Sequence, residues 1–379
     1  MKAIRWLLLL IIWVACTQKY NSPYHIPVAN GPLVVEGYIN VGPGPTNITL
    51  SRVTSLDSPA IITQAGALIS VEMQDGSILP LSELGNGQYA ISQIPVNPSE
   101  QYRLRIATPD GKAYSSDFSS PIVTPPIDSV SWKLTPEGVN IYVSTHDISN
   151  DTGYYRWQYE ETWEYTSGYP SSYEYVGGGT VISRPDSDMI FKCWSSFISS
   201  DILIGTSATL GSDMIYEFPI TPVLFSSQKL VLKYSILVKQ YEISQDWFNW
   251  DEKIKKNTEQ LGSIFDAQPS EISGNLHCIS NPDEQVIGFV GCTTETEKRI
   301  FIDRSTQLPQ SQVIFSGYED CIIDTVANDP IKLASVFQGG SYIPVGCAPP
   351  FCAGFLYSTA DCVDCRLKGG SVIKPPYWP

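Results

Sequence analysis

Acid–base or nucleophilic chemistry in this chain would have to draw on three histidines, His25, His146 and His277, and on nine cysteines. A Ser–His–Asp or Cys–His relay needs a histidine within hydrogen-bond reach of its nucleophile. His25 sits in an Asn/Pro-rich segment read below as a tether, so only His146 and His277 could serve, and no Gly-x-Ser-x-Gly elbow accompanies them. Both read as exposed or hydrogen-bonded histidines. Cys362-Val363-Asp364-Cys365 has the spacing of zinc knuckles and redox motifs. With Cys347 and Cys352 close by and no β-α-β pattern around them, disulfides are the simpler reading. Asp147, Asn150 and Asp151 before Gly153 offer oxygen ligands, but they miss the calcium-loop spacing and suit an Asx turn. Glycoside hydrolysis needs two carboxylates across a cleft. Adjacent Glu160 and Glu161 point to opposite faces of a strand, and Glu160 and Glu164 would stand about 13 Å apart, beyond either glycosidase spacing. No Gly-rich loop followed by Lys-Ser/Thr is present to cradle phosphate. The expectation is a binding protein with no catalytic residue, no metal and no cofactor.

What remains for recognition is aromatic. From Tyr154 to Tyr165 the side chains alternate, with Tyr155, Trp157, Tyr159, Glu161, Trp163 and Tyr165 on one face of a strand. Strict alternation assigns Tyr155, Trp157 and Tyr159 to a core. Tyr169 and Tyr173, among Gly168, Pro170, Ser171 and Ser172, are expected at a loop tip. With Trp163 they are the candidate binding residues for a glycan or a peptide, since exposed rings stack on sugars and anchor partners.

The elements that must position these residues are mainly β. Leu33 to Ile39, Asn47 to Val53, Ala67 to Gln74, Ser77 to Leu81, Gln88 to Ile91, Tyr102 to Ala107 and Ala113 to Phe118 read as strands, with Asp75-Gly76 and Asp110-Gly111 as hairpin turns. This predicts an Ig-like or transthyretin-like β-sandwich over residues 33–124, closed by Pro125-Pro126. A second β-rich domain is expected over 127–338. It includes one amphipathic helix at 245–261, started by Ser244 and Asp246 and stopped by Gly262, with Trp247, Trp250, Ile254 and Leu261 on one face. Residues 339–379, rich in Cys, Pro and Gly, read as a stapled coil.

The first residues look like an export signal. Lys2 and Arg5 precede an apolar run from Trp6 to Val14, too short to span a bilayer. It ends in Trp13-Val14-Ala15-Cys16, similar to the bacterial lipobox, with Trp13 where Leu is usual. Residues 1–15 are thus expected to be a signal peptide, Cys16 a lipidated residue in the bilayer, and 16–32 a tether. Loss of Lys2 and Arg5 moves the formal charge from -15 to -17, and so acidic a body argues against nucleic-acid binding. An exported chain predicts disulfides among Cys193, Cys278, Cys292, Cys321, Cys347, Cys352, Cys362 and Cys365, with the pairing left open. Asp128-Ser129-Val130 and Asp324-Thr325-Val326 resemble an O-glycosylation pattern of exported Bacteroidota proteins.

Several segments together resemble one family, the Bacteroidota lipoproteins catalogued as domain of unknown function 4249. They include Leu33-Val34-Val35-Glu36-Gly37-Tyr38-Ile39, Tyr154-Tyr155-Arg156-Trp157, Cys193-Trp194, Gly274-Asn275-Leu276-His277-Cys278 and Cys362-Val363-Asp364-Cys365-Arg366. The resemblance implies outer-membrane association, on the periplasmic or the surface face, and partnership with a TonB-dependent receptor. It supplies no catalytic residues. The leading expectation is therefore a non-enzymatic accessory or ligand-capture lipoprotein for such a receptor. The alternatives are a free-standing glycan-binding protein and a hydrolase of glycan or peptide. The hydrolase would require His146, His277 or two carboxylates to converge in a pocket.

Overall fold

Alternating burial along short β-branched and aromatic runs organises the molecule. The computed structural model describes residues 31–53, 61–94, 97–149, 153–208, 211–259, 274–310 and 313–379. The expected signal peptide, Cys16 and nearly all of the tether lie outside these residues, as do Asn150 and Asp151 and the helix end at Leu261 and Gly262.

The first β-sandwich is built where the sequence places it. One sheet runs in the order Val286–Ile287, Leu33–Gly37, Thr46–Arg52, Gln88–Ile91, Ser82–Gly85. The facing sheet runs Leu276–Cys278, Ala113–Ser116, Tyr102–Ala107, Leu68–Met73, Ile78–Pro80. Leu33, Val35, Ile48, Leu50, Ile69, Val71, Tyr102, Leu104, Ile106 and Tyr114, at alternate positions, fill the space between them.

Both sheets end on strands that arrive from far along the chain. Leu276–Cys278 pairs antiparallel with Ala113–Ser116. Val286–Ile287 runs parallel to Leu33–Gly37, and Cys292–Thr293 runs parallel to Ile39–Asn40. The span expected to form the second domain thus returns residues 276–293 to the first. This corrects the cysteine expectation. Cys278 and Cys292 are free thiols buried in the first core, on strands remote from the bridged cysteines.

The second sandwich sets Ile127–Leu134, Gly138–His146 and Met214–Leu224 against a sheet ordered Lys192–Ile198, Tyr154–Thr166, Lys233–Ile243, Glu295–Asp303. Tyr154–Thr166 pairs with Lys233–Ile243 from Tyr154 opposite Ile243 to Glu164 opposite Lys233. Tyr155, Trp157 and Tyr159 point inward and are buried, as alternation requires. So is Glu161, held by Lys229 Nζ at 2.5 Å and the Tyr234 hydroxyl at 2.8 Å. Helix α1, Gln245–Glu259, follows directly on the Lys233–Ile243 strand.

Residues 339–379 are not a coil. Tyr342–Ala348 and Gly354–Thr359 form a sheet with Asp324–Ala327. This sheet packs with helix α2, Pro330–Phe337, and the hairpin Tyr173–Gly177/Thr180–Ser183 around Val326, Leu333, Phe337 and Phe355. Bridges Cys193–Cys365 and Cys321–Cys362 fasten this unit, and Cys347–Cys352 closes a local loop. Trp378 also donates from Nε1 to Glu164 Oε2 at 2.9 Å, so the extreme C-terminus lies on the second sandwich. Among the described residues, no helix is long and apolar enough to cross a membrane.

Candidate functional site

The three aromatic residues proposed for binding are occupied by packing. Gly168–Ser172 is not a loop tip, because the C-terminal unit covers it: Tyr169 N donates to Cys362 O and Ser172 N to Val345 O. Tyr169 donates its hydroxyl to Cys321 O at 2.7 Å. The Tyr173 ring lies edge-on to Phe355 at 5.4 Å, with its hydroxyl 3.1 Å from Cys347 Sγ. Trp163 is partly buried beneath Lys229, whose Nζ is 5.3 Å from the ring centroid. The sequence could not show this, since the residues that cover Tyr169 and Tyr173 lie more than 150 positions away and Lys229 lies 66 from Trp163.

The histidines also stay apart. His146 Nδ1 lies 2.7 Å from Asp128 Oδ2 on the exposed second sandwich, and that carboxylate raises its pKa. His277 Nε2 lies 3.2 Å from Asp117 Oδ1 on the first. Glu160 pairs with Lys239 and Glu164 with Lys192. Among the described residues, no three His, Cys, Asp or Glu side chains are grouped to hold a metal ion. Ser129 and Thr325, of the two short glycosylation-like patterns, are both exposed.

The structure forms a site elsewhere, where α1 meets the first sandwich. The helix starts as its sequence requires: Ser244 Oγ accepts from Trp247 N at 3.2 Å, and Asp246 lies in the first turn. Residues one turn apart then share a face. Trp247 and Asp251 turn inward, 5% and 1% exposed. Arg156 Nη1 meets Asp251 at 2.9 and 3.0 Å, and its guanidinium lies 5.9 Å from the Trp247 ring. Burial outweighs the arginine and lifts the Asp251 pKa to about 6.

Against this face the returning segment places Phe289. It stacks on Trp247 at 5.9 Å and tilts against Trp250 at 6.2 Å. Gly291 lets them approach, since a Cβ there would come within 2.4 Å of the Trp247 ring. The three rings form a wall between two openings. On one side is a cleft of about 580 Å³, edged by Gln101 and Asp117–Ser120 of the first sandwich and by Asp246, Asn249 and Lys253 of α1. On the other is a cavity of about 190 Å³ containing Glu36, Tyr38, Arg156, Gln158 and Tyr241.

Several lining groups are committed to the framework. Asn275 exchanges two hydrogen bonds of 2.9 Å with the Val290 backbone. Thr293 donates to Glu242 O. Burial pushes the Cys292 thiol up to about 12, which removes it as a nucleophile. Asp246, Asn249 and Lys253, by contrast, are exposed along one stripe of α1 beside Trp250. The Nε1 atoms of Trp247 and Trp250 are buried without a hydrogen-bond partner. A buried donor left unmade costs about 1–3 kcal/mol, and because neither atom reaches solvent the rings offer the openings carbon surface rather than a donor. The sequence did place Trp247 and Trp250 on one helical face. It gave no sign of Phe289.

No curated protein matches the chain. Two solved structures overlap it weakly. One is a candidate carbohydrate-binding protein from Bacteroides uniformis, 10% identical, covering 57% of this chain and 92% of its own, with a TM-score of 0.13. The other is a DUF3823 family protein from Bacteroides ovatus, 11% identical, covering 56% and 90%, also with a TM-score of 0.13. Likeness at that level carries no argument about fold or ligand. The sequence model of one family does match, over residues 20–299, ending before the stapled C-terminal unit. On that match the chain belongs to the family described as domain of unknown function DUF4249.

Proposed function

We propose that this protein is a non-enzymatic, lipid-anchored ligand-capture module of the outer membrane. It holds a saccharide in the cleft beside α1 on behalf of a TonB-dependent receptor. The observation that carries the ligand class is the wall of Trp247, Trp250 and Phe289 along the cleft, with exposed Asp246, Asn249 and Lys253 alongside. Sugar rings have apolar faces that stack on aromatics and a rim of hydroxyls that bond to such side chains. The lipobox-like run ending at Cys16 supports the anchor, and the receptor follows from what the family resemblance implies.

Titration calorimetry against a panel of neutral oligosaccharides tests the ligand. Micromolar binding that weakens about tenfold or more in Trp250→Ala is expected, as for a central aromatic anchor. Binding untouched by that change moves the site elsewhere. Affinity purification from the native outer membrane tests the receptor: stoichiometric recovery of a TonB-dependent receptor supports the accessory role. Recovery of the bait alone, with saccharide binding intact, makes the protein a free-standing glycan binder.

A further inference from the structure

The strands that carry the cleft at one end carry something different at the other. Gln101 and Asp117, at the cleft, flank the Tyr102–Ala107 and Ala113–Ser116 strands. Along those strands, about 17 Å away at strand rise, a hairpin turn through Asp110 joins them. Register there places Leu68 opposite Ala107 and Ala107 opposite Ala113, and Ile279 N donates to Ala113 O. The result is an apolar row across four strands on the outer face of the sheet. Leu68 is 78% exposed and Ile279 54%, and Ile78 and Pro80 extend the row into an apolar groove of about 480 Å³. An outward face of a solvated sheet should be polar; Ser70, Glu72, Arg103 and Arg105 keep to that along these strands, and the row at this end departs from it.

The N-terminal segment reaches the body at this same end. Arg52 Nη1 donates to Gly31 O at 3.2 Å, while Arg52 Nη2 lies 3.6 Å from Asp110 Oδ2 in the hairpin turn. Fourteen residues, Thr17 to Asn30, separate Gly31 from Cys16, at most about 50 Å of extended chain. We propose that this end of the first sandwich is a lipid-contacting surface. It seats Leu68, Ile78 and Ile279 in the headgroup layer of the bilayer that holds Cys16, and so points the saccharide cleft away from the membrane. The inference rests on the anchor in the proposed function.

Local charge permits lipid contact here. The cleaved chain, of formal charge -17 after loss of Lys2 and Arg5, is repelled by anionic lipid as a whole. Screening limits that repulsion to about 8–10 Å, so the local charges govern contact. On this sheet face Arg103 and Arg105 share one carboxylate, Glu72, at 2.7 and 3.2 Å, leaving an excess positive charge. At the rim, Arg52 and Lys112 answer Asp110 and Glu284.

Site-specific photocrosslinking tests the orientation. The lipidated full-length mature protein, carrying p-benzoylphenylalanine in place of Leu68, is reconstituted into vesicles of phosphatidylethanolamine and phosphatidylglycerol and irradiated. Lipid adducts at position 68 should exceed those at a control position, Ile331 on α2, by about tenfold or more. The same substitution at Ile279 gives an independent reading should the first variant fail to fold. Protein that floats with the vesicles but shows no excess of lipid adducts overturns the inference and leaves the anchor standing. Adducts to the chain's own residues 17–30 overturn it by making the row a seat for the tether. Protein that stays with the soluble fraction for want of lipid on Cys16 overturns the anchor, and the inference with it.

Discussion

Asp251 is a carboxyl whose surroundings oppose its charge. It is 1% exposed, and even with Arg156 at 2.9 Å its pKa rises from 3.8 to about 6. The folded chain therefore holds this proton over a range in which the unfolded chain has lost it. Stability falls as pH rises from about 4 to about 6 and levels above that. Asp251→Asn should flatten that part of the stability–pH curve measured by urea unfolding. Arg156→Met should lose about 3–5 kcal/mol, because it strands a buried carboxylate. That loss should be larger near pH 8 than near pH 5, where the carboxyl can stay protonated. Equal losses at both pH values would mean that Asp251 titrates normally. Little of this was legible in the sequence. Asp251 reads there as one of several charges on the solvated side of the helix, with Glu252, Lys253, Lys255 and Lys256. Periodicity places a residue on a face but does not say that a second sandwich covers it. Tyr169 and Tyr173 failed for the same reason in reverse, since local Gly, Pro and Ser residues signalled a tip that distant residues cover.

Among elements, those defined by local pattern were read well and those defined by partners were not. The seven strands expected for the first sandwich and α1 appear within a few residues of their expected bounds, because alternation, turn glycines and a Ser cap are local signals, while Ser82–Gly85 was not foreseen. The returning strands Val286–Ile287 and Cys292–Thr293 have two residues each, too few to show a period. Their pairing with Leu33–Gly37 and Ile39–Asn40 is set by the fold alone. This segment seats the helix, and Gly291 is its contact point. In Gly291→Ala the new methyl would meet the Trp247 ring atoms at 2.4 and 2.5 Å. Relief requires α1 to shift, at about 1–3 kcal/mol for an overpacked core. The expected outcome is a lower urea midpoint together with weaker saccharide binding, while the second sandwich keeps its stability. A variant with unchanged midpoint and binding would show that the Trp247 seat is not what fixes the cleft.

At the scale of the whole molecule, stabilisation is unevenly distributed. The first sandwich relies on its core, and its two cysteines are free. All three bridges belong to the second sandwich and the C-terminal unit. The even count of eight cysteines suggested bridging throughout, and sequence could not separate them because the free pair lies among bridged neighbours in the chain. The bridges differ greatly in the loop they close. Cys193–Cys365 spans 172 positions and Cys347–Cys352 spans 5. In the chain-entropy description the long loop contributes about 5 kcal/mol and the short one about 2. Replacing Cys193 and Cys365 together by serine should therefore lower the unfolding midpoint of the second sandwich more than the same change at Cys347 and Cys352. It should also free the C-terminal unit, which is otherwise held to the Tyr154–Thr166 strand by contacts such as Trp378 Nε1 to Glu164. Limited proteolysis separates these effects. Early cleavage after Lys368 in the long-loop variant alone, with the first sandwich intact, is the expected pattern. Equal protection in both variants would assign the attachment of the tail to its packing rather than to the bridge.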